Sequence, residues 1–278
     1  MTTAAPVRTR RSPGTARQVL RLTRTEFTLF VRYKTAWMFL ALPLFFAFIA
    51  LQQPDDEIVA GFGMGEMTMI SVMGITSLML GMGHASNVFT SRREALVLKR
   101  FRVSGVSQPV IFGGIIGVVT VFSLLAVLLM ALVILVPLGG SPPRDPLMAL
   151  ASVLLGSVVF TLMGLALTPL ARTSESAQLV GMVPMMILFF ASGGVFPLEF
   201  LPEDVRQVVG LIPSVPPAEL MQAAYTGYDV FGGATGAEEK SYLGLWAAAL
   251  PSIAIMLAWI ALLALAVRRF FVWDPRKP

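Results

Sequence analysis

Two ionisable side chains, Glu66 and His84, interrupt one long apolar stretch, and five cations (Arg92, Arg93, Lys99, Arg100 and Arg102) crowd the segment "SRREALVLKRFRVSG" at residues 91–105. An ionisable group at membrane depth is a functional candidate, because leaving it unpaired in lipid is costly. Glu66 and His84 therefore qualify as pathway residues. The plainer alternative is that each reaches headgroups or water from one end of its span. They cannot pair with each other: at ~1.5 Å per residue a helix holds them about 27 Å apart. Nucleophilic or acid–base catalysis needs a partner at matching depth, and the single histidine has none. With no cysteine and no HExxH, a zinc site lacks its ligands. Two glycine-bearing stretches resemble nucleotide loops and fail on inspection. "GGATGAEEKS" (232–241) places Glu239 rather than glycine before Lys240, and "GMGHAS" (81–86) lacks both a third glycine and a preceding strand. The small residues of the second suit close helix packing instead. The chain is expected to bind no metal or cofactor of its own.

The elements that must hold these residues are membrane spans. Charged residues make up 13% of the 278, hydrophobic ones 56%, and mean hydropathy is +0.77. Soluble domains carry about 25% charged residues, so this chain could not cover a water-facing surface. Six stretches approach the ~20 apolar residues that a spanning helix needs: 35–51, 61–89, 109–137, 146–170, 179–196 and 243–267. The expected fold class is an all-α polytopic membrane protein with six transmembrane helices. The second stretch exceeds a hydrocarbon core of about 30 Å and must tilt or protrude. Of the 21 Lys and Arg, all but Arg144, Arg206 and Lys240 fall on one side of this pattern, and the opposite loops carry Asp55, Asp56, Glu57, Glu199, Glu203, Asp204, Asp229, Glu238 and Glu239. By the positive-inside rule both termini and the basic loops are cytoplasmic, in a multi-pass protein of the cell membrane. The net charge of +5 thus reads as topology, not as nucleic-acid binding. The sixteen methionines, Met185 and Met186 among them, suit a plastic hydrophobic pathway or ordinary core packing.

Three shorter elements complete the expected layout. Residues 1–15 form a disordered basic leader, retained as part of an anchor because no A-x-A site follows the first span. Residues 16–34 have helical period, with Arg17, Arg21, Arg24, Thr28 and Arg32 on one stripe and Val19, Leu22, Phe27 and Phe30 turned away. Such a helix suits the cytoplasmic interface, its cations near the lipid headgroups; a merely basic leader is the alternative. In the external half, Val205, Val208, Val209 and Ile212 share a helical face. A break at Pro213, Pro216 and Pro217 follows, then a second short helix through Glu219 and Met221. Too short to span and too apolar for a free loop, residues 198–226 are expected to form a re-entrant hairpin.

In the opening segment, "SRRE" has the pattern of a capping box, so a new helix is expected to start at Ser91 with Glu94 reaching back, and to stop at Gly105. Two readings of this helix stand. It is either a charge signal for topology or a docking helix that offers Leu96, Val97, Leu98 and Phe101 to a partner, with cations at the rim. A topology signal needs only charge, so the capped apolar face favours docking.

"NVFTSRREALVLKRFRVSGVSQPVIFGG" (87–114) resembles the cytoplasmic segment after the second span of ABC type-2 exporter permeases, with Gly105 where many relatives have proline. "ARTSESAQLVGMVPMMILFFASGGVFPLEFLP" (171–202) is similar to that family's fourth-to-fifth loop, fifth span and exit, which includes Pro197, Glu199 and Pro202. The resemblance implies a six-span domain over 35–278 whose residues 91–104 are a coupling helix. Ser91, Arg93, Glu94, Leu96, Leu98, Lys99, Arg100 and Phe101 would then seat against a separate ATP-binding subunit that holds ATP-Mg. It further implies a dimer, with a second copy or a related permease, exporting a hydrophobic or amphipathic compound such as a drug, an antibiotic or a lipid-like molecule. An ion-gradient transporter is the rival, but it would want several intramembrane carboxylates or broken helices at the midplane. A membrane-embedded enzyme is a weaker rival, for want of a partner to His84.

Overall fold

The computed structural model describes residues 14–32, 41, 45–46, 48–53, 57–59, 61–193, 201–233 and 236–273. The leader up to residue 13, most of the expected first span, Pro197, Glu199 and the last five residues lie outside the described residues. What remains is a helical bundle. Among the described residues four helices are long and apolar enough to cross a membrane, or five if the bent pair over 64–94 is taken as one span.

Helix α1 (Thr15–Arg32) follows Pro13 and Gly14 and contains neither residue type. It runs beside the first half of α6 (Gln108–Leu135) in the same direction. The contact is possible because Gly113, Gly114 and Gly117 leave a groove on α6. A Cβ at Gly113 would lie 3.2 Å from Val19, one at Gly114 would lie 2.7 Å from Leu22, and one at Gly117 would meet Thr23. Thr23 Oγ1 donates to the Gly114 carbonyl (3.3 Å). Beyond the groove Phe27 stacks on Phe122 at 5.0 Å, and Phe30 meets the same ring edge-on at 4.4 Å. The apolar side chains Val19, Leu22, Phe27 and Phe30 are therefore packed against protein, since close backbone approach gives packing that lipid tails cannot match. Arg17, Arg21 and Arg24 stay exposed.

The second span does not merely tilt. It is built from α2 (Met64–Gly74), α3 (Thr76–Met79), a π-helical turn (Leu80–His84) and α4 (Ala85–Glu94), and it bends by 42° at Ile75. The bend falls where α2 passes the short helix α10 (Val215–Thr226): Gly74 lies against the Pro217 carbonyl and 2.8 Å, from its would-be Cβ, to Ala218 Cα. One turn past the bend the span meets α7 (Pro146–Leu167) backbone to backbone. A Cβ at Gly81 would sit 2.7 Å from the Phe160 carbonyl carbon, and one at Gly164 would sit 2.5 Å from the Gly81 oxygen. Gly81 thus does what the small-residue run suggested, whereas Gly83 faces open space.

Helix α7 is the central element, touching α6, the second span, α10 and α11 (Tyr242–Phe270). Asp145 caps it, accepting from the Leu147 and Met148 amides (3.0 Å each) and from Trp246 Nε1 (2.7 Å). The fifth span, α8 (Ser174–Ala191), begins five residues before the expected start at residue 179. At the acidic end a two-strand hairpin, β1 (Glu57–Val59) and β2 (Phe62–Gly63), corrects the all-α expectation. It is a small departure, made by a connection too tight for a helix.

The 198–226 region holds two helices, α9 (Glu203–Gly210) and α10, joined by a turn at 211–214 that contains Pro213. Pro202 precedes α9. Pro216 and Pro217 do not break the chain as expected. They form the first turn of α10, where a missing amide costs nothing.

Candidate functional site

At the basic end of the bundle, α4 runs straight through Ser91, whose carbonyl accepts from the Ala95 amide (2.9 Å). The expected capping box at "SRRE" is therefore absent. The pattern fits a cap only where the preceding chain is non-helical, and here it is already helical. A reciprocal cap of this kind forms instead at the start of α8, between Thr173 and Ser176. The real break comes after Glu94. Leu96 has φ +57, the one positive-φ residue other than glycine among the described residues, a conformation that costs roughly 1–2 kcal/mol. Helix α5 (Val97–Val103) follows, and Gly105 (φ +75) ends it as expected.

The orientation of α5 removes Leu98 and Phe101 from the expected docking face and leaves Leu96 exposed. Leu98 is fully buried and Phe101 packs against the core, so both point into their own bundle. The side chains turned outward are Lys99, Arg100, Arg102, Leu96 (45% exposed) and Val103 (84%). Apolar side chains with a protein core one turn away bury there, and the cations of a seven-residue helix are left as its free face.

Behind α5, three consecutive residues of α4 reach three different elements. Arg92 pairs with Glu26, which is buried on α1. Arg93, 2% exposed, donates to the Thr168 carbonyl (3.1 Å) and the Ala171 carbonyl (2.5 Å), where the fourth span ends. Glu94 accepts from the Ser174 amide (3.2 Å), and Asn87, two turns earlier, donates to the Ser174 carbonyl (3.4 Å).

The two pathway candidates stand apart from this cluster and from each other. Glu66 accepts from the Gly63 amide (3.1 Å), closing the first turn of α2, and its other oxygen lies against Gly140. His84 packs edge-on against Phe30 at 4.3 Å. Between them, at the bend of the second span, a narrow, partly open cleft is lined by Phe46, Ile75, Thr76, Met79, Met130 and Phe189.

A residue that sequence reasoning passed over is Glu219 on α10. Its two oxygens accept from the Gly232 amide (3.1 Å) and the Ser252 hydroxyl (2.9 Å) of α11. Burial holds its carboxyl above the usual carboxylate range; the two hydrogen bonds oppose this, and Asp229 adds to it. The only signal in the sequence was a lone acid on an otherwise apolar helix.

The model of the family described as ABC-2 family transporter protein matches residues 41–268. The chain belongs to that family. It is a membrane-embedded permease of an ABC transporter, a class of subunit that works with separate ATP-binding subunits. Comparison with curated proteins finds no match. The family match includes α4, α5 and the arginine cluster, while α1 precedes it.

Proposed function

We propose that this permease is the membrane half of an ATP-driven exporter. Two copies, or one copy and a related permease, form the pathway, and separate ATP-binding subunits supply the energy. The observation that carries the reading is the outward cationic face of α5: a short helix anchored by Leu98 presents Lys99, Arg100 and Arg102, which form no ion pair among the described residues. Cations at a rim orient an encounter with an acidic partner, and Leu96 and Val103 supply apolar contact. Ser91, Arg93, Glu94 and Phe101 position this helix rather than touch the partner. The basic end is cytoplasmic and the α9–α10 hairpin external, in the cell membrane, in keeping with the distribution of lysine and arginine.

The transported compound is hydrophobic or amphipathic: a drug, an antibiotic or a lipid-like molecule. The cleft at the bend is apolar and flexible in its methionines, with the Thr76 hydroxyl among its lining groups. It has room for about one water molecule rather than for a drug, as suits a pathway closed at rest. The test is purification of the permease with its ATP-binding subunit in lipid nanodiscs, followed by ATP hydrolysis measured against a panel of cationic and neutral lipophilic drugs. Stimulation by a subset of them is the expected result. Absence of any co-purifying ATPase would end this reading.

A further inference from the structure

Arg92, Arg93 and Glu94 are consecutive on α4, and successive helical side chains point about 100° apart. A run of three therefore fans across most of the helix circumference, which is how it reaches α1, the end of the fourth span and the start of the fifth. The contacts with the last two are specific to their ends. Arg93 places a cation on carbonyls at the end of the fourth span, the negative pole of its helix dipole. Glu94 and Asn87 hold both the amide and the carbonyl of Ser174, the first residue of α8. The turn between the fourth and fifth spans is thus gripped on both sides by a single helix. The break at Ala95 and Leu96, directly after the grip, is where α5 departs.

We propose that Arg93 and Glu94 are positioning residues that carry movement of α5 into the turn between the fourth and fifth spans, so that these two spans respond to the ATP-binding subunit through α4. This rests on the proposed docking of α5. Movement of α5 pulls on the end of α4. Its buried arginine and its carboxylate drag the 171–174 turn, while Arg92 and Glu26 keep α1 in step. The third span, joined to α5 through the flexible Gly105, receives less of the same movement.

The absence of cysteine lets one residue at a time carry an environment-sensitive dye. Ser104→Cys, at the end of α5, reports on that helix and Arg172→Cys on the turn; both positions are exposed. In the permease–ATPase complex in nanodiscs, ATP-Mg is expected to change the signal from both positions. With Arg93→Met or Glu94→Ala, the signal at position 104 stays and that at position 172 falls about fivefold or more, in the range of ordinary site-to-site coupling. Arg93→Lys, which keeps a buried donor, restores most of it. Glu94 is exposed, so its variant carries the test even if Arg93→Met fails to fold. An undiminished signal at position 172 with Glu94→Ala overturns the proposal, as does loss of both signals together. Silence at position 104 in the otherwise unaltered complex overturns the docking of α5 as well.

Discussion

Helices α5 and α10 are both short, both strung between spans, and stand in opposite relations to the bundle. Of the twelve residues of α10, ten are buried; of the seven of α5, only Leu98 is. Side-chain size makes the difference. Ala218, Ala223 and Ala224 let α10 press against Gly74 and α7, where Ser152 donates to the Pro217 carbonyl (2.7 Å) and Gln222 donates to Ser71 (2.6 Å). Long cations deny α5 the same approach, so only Leu98 and, in part, Phe101 hold it to the bundle. An element buried on most of its faces is fixed by the bundle; one held along a single face is freer to follow a partner.

The contrast is broken most severely at Leu98. Leu98→Ala should destabilise the purified protein by about 2–5 kcal/mol, whereas Val103→Ala, five residues on, should stay within about 0.5 kcal/mol. Thermal unfolding in detergent reads both, and equal effects would mean that α5 has no inner face. Where α2 meets α10, Gly74→Ala forces a methyl group into the Pro217 carbonyl. It should cost roughly 1–3 kcal/mol by overpacking, with Gly210→Ala, where a Cβ meets nothing within 4 Å, as the neutral control.

A smaller effect sharpens the account of α10 through pH. Burial raises the Glu219 carboxyl, so the folded state holds its proton more tightly than the unfolded chain. The resulting stabilisation is present below the ordinary carboxylate value and is lost as pH rises through the raised one. Melting temperatures followed over that interval should decline in the unaltered protein and flatten in Glu219→Gln, which keeps an acceptor for Ser252. A profile unchanged by the substitution would remove Glu219 as the cause. The smallest effect on stability belongs to the outer face of α5. Lys99→Gln, Arg100→Gln and Arg102→Gln together should leave unfolding unchanged within about 0.5 kcal/mol while weakening co-purification of the ATPase. Full retention of the ATPase would reduce these cations to a topology signal.

The periodicity of 203–212 revealed α9, and Gly105 revealed the end of α5, because both are local properties of the backbone. The capping box failed because the same four residues cap a helix or sit inside one according to what precedes them. The bend at Ile75 has no proline behind it; it comes from the meeting of Gly74 with a helix more than a hundred residues later. Hydrophobic period placed Leu98 and Phe101 on one face correctly, but the reading gave that face to a partner, whereas it packs on the chain's own core.

By itself the sequence determined that the chain lives in a membrane, where its long apolar helices lie and which loops collect the cations, because lipid rewards apolar length and internal hydrogen bonding irrespective of neighbours. Only the tertiary structure decided that Arg92, Arg93 and Glu94 tie three elements together, across separations of 66 to 80 residues. A basic side chain carries no mark in the sequence of which carbonyl or carboxylate will meet it; that depends on which helix ends the packed glycines bring within reach.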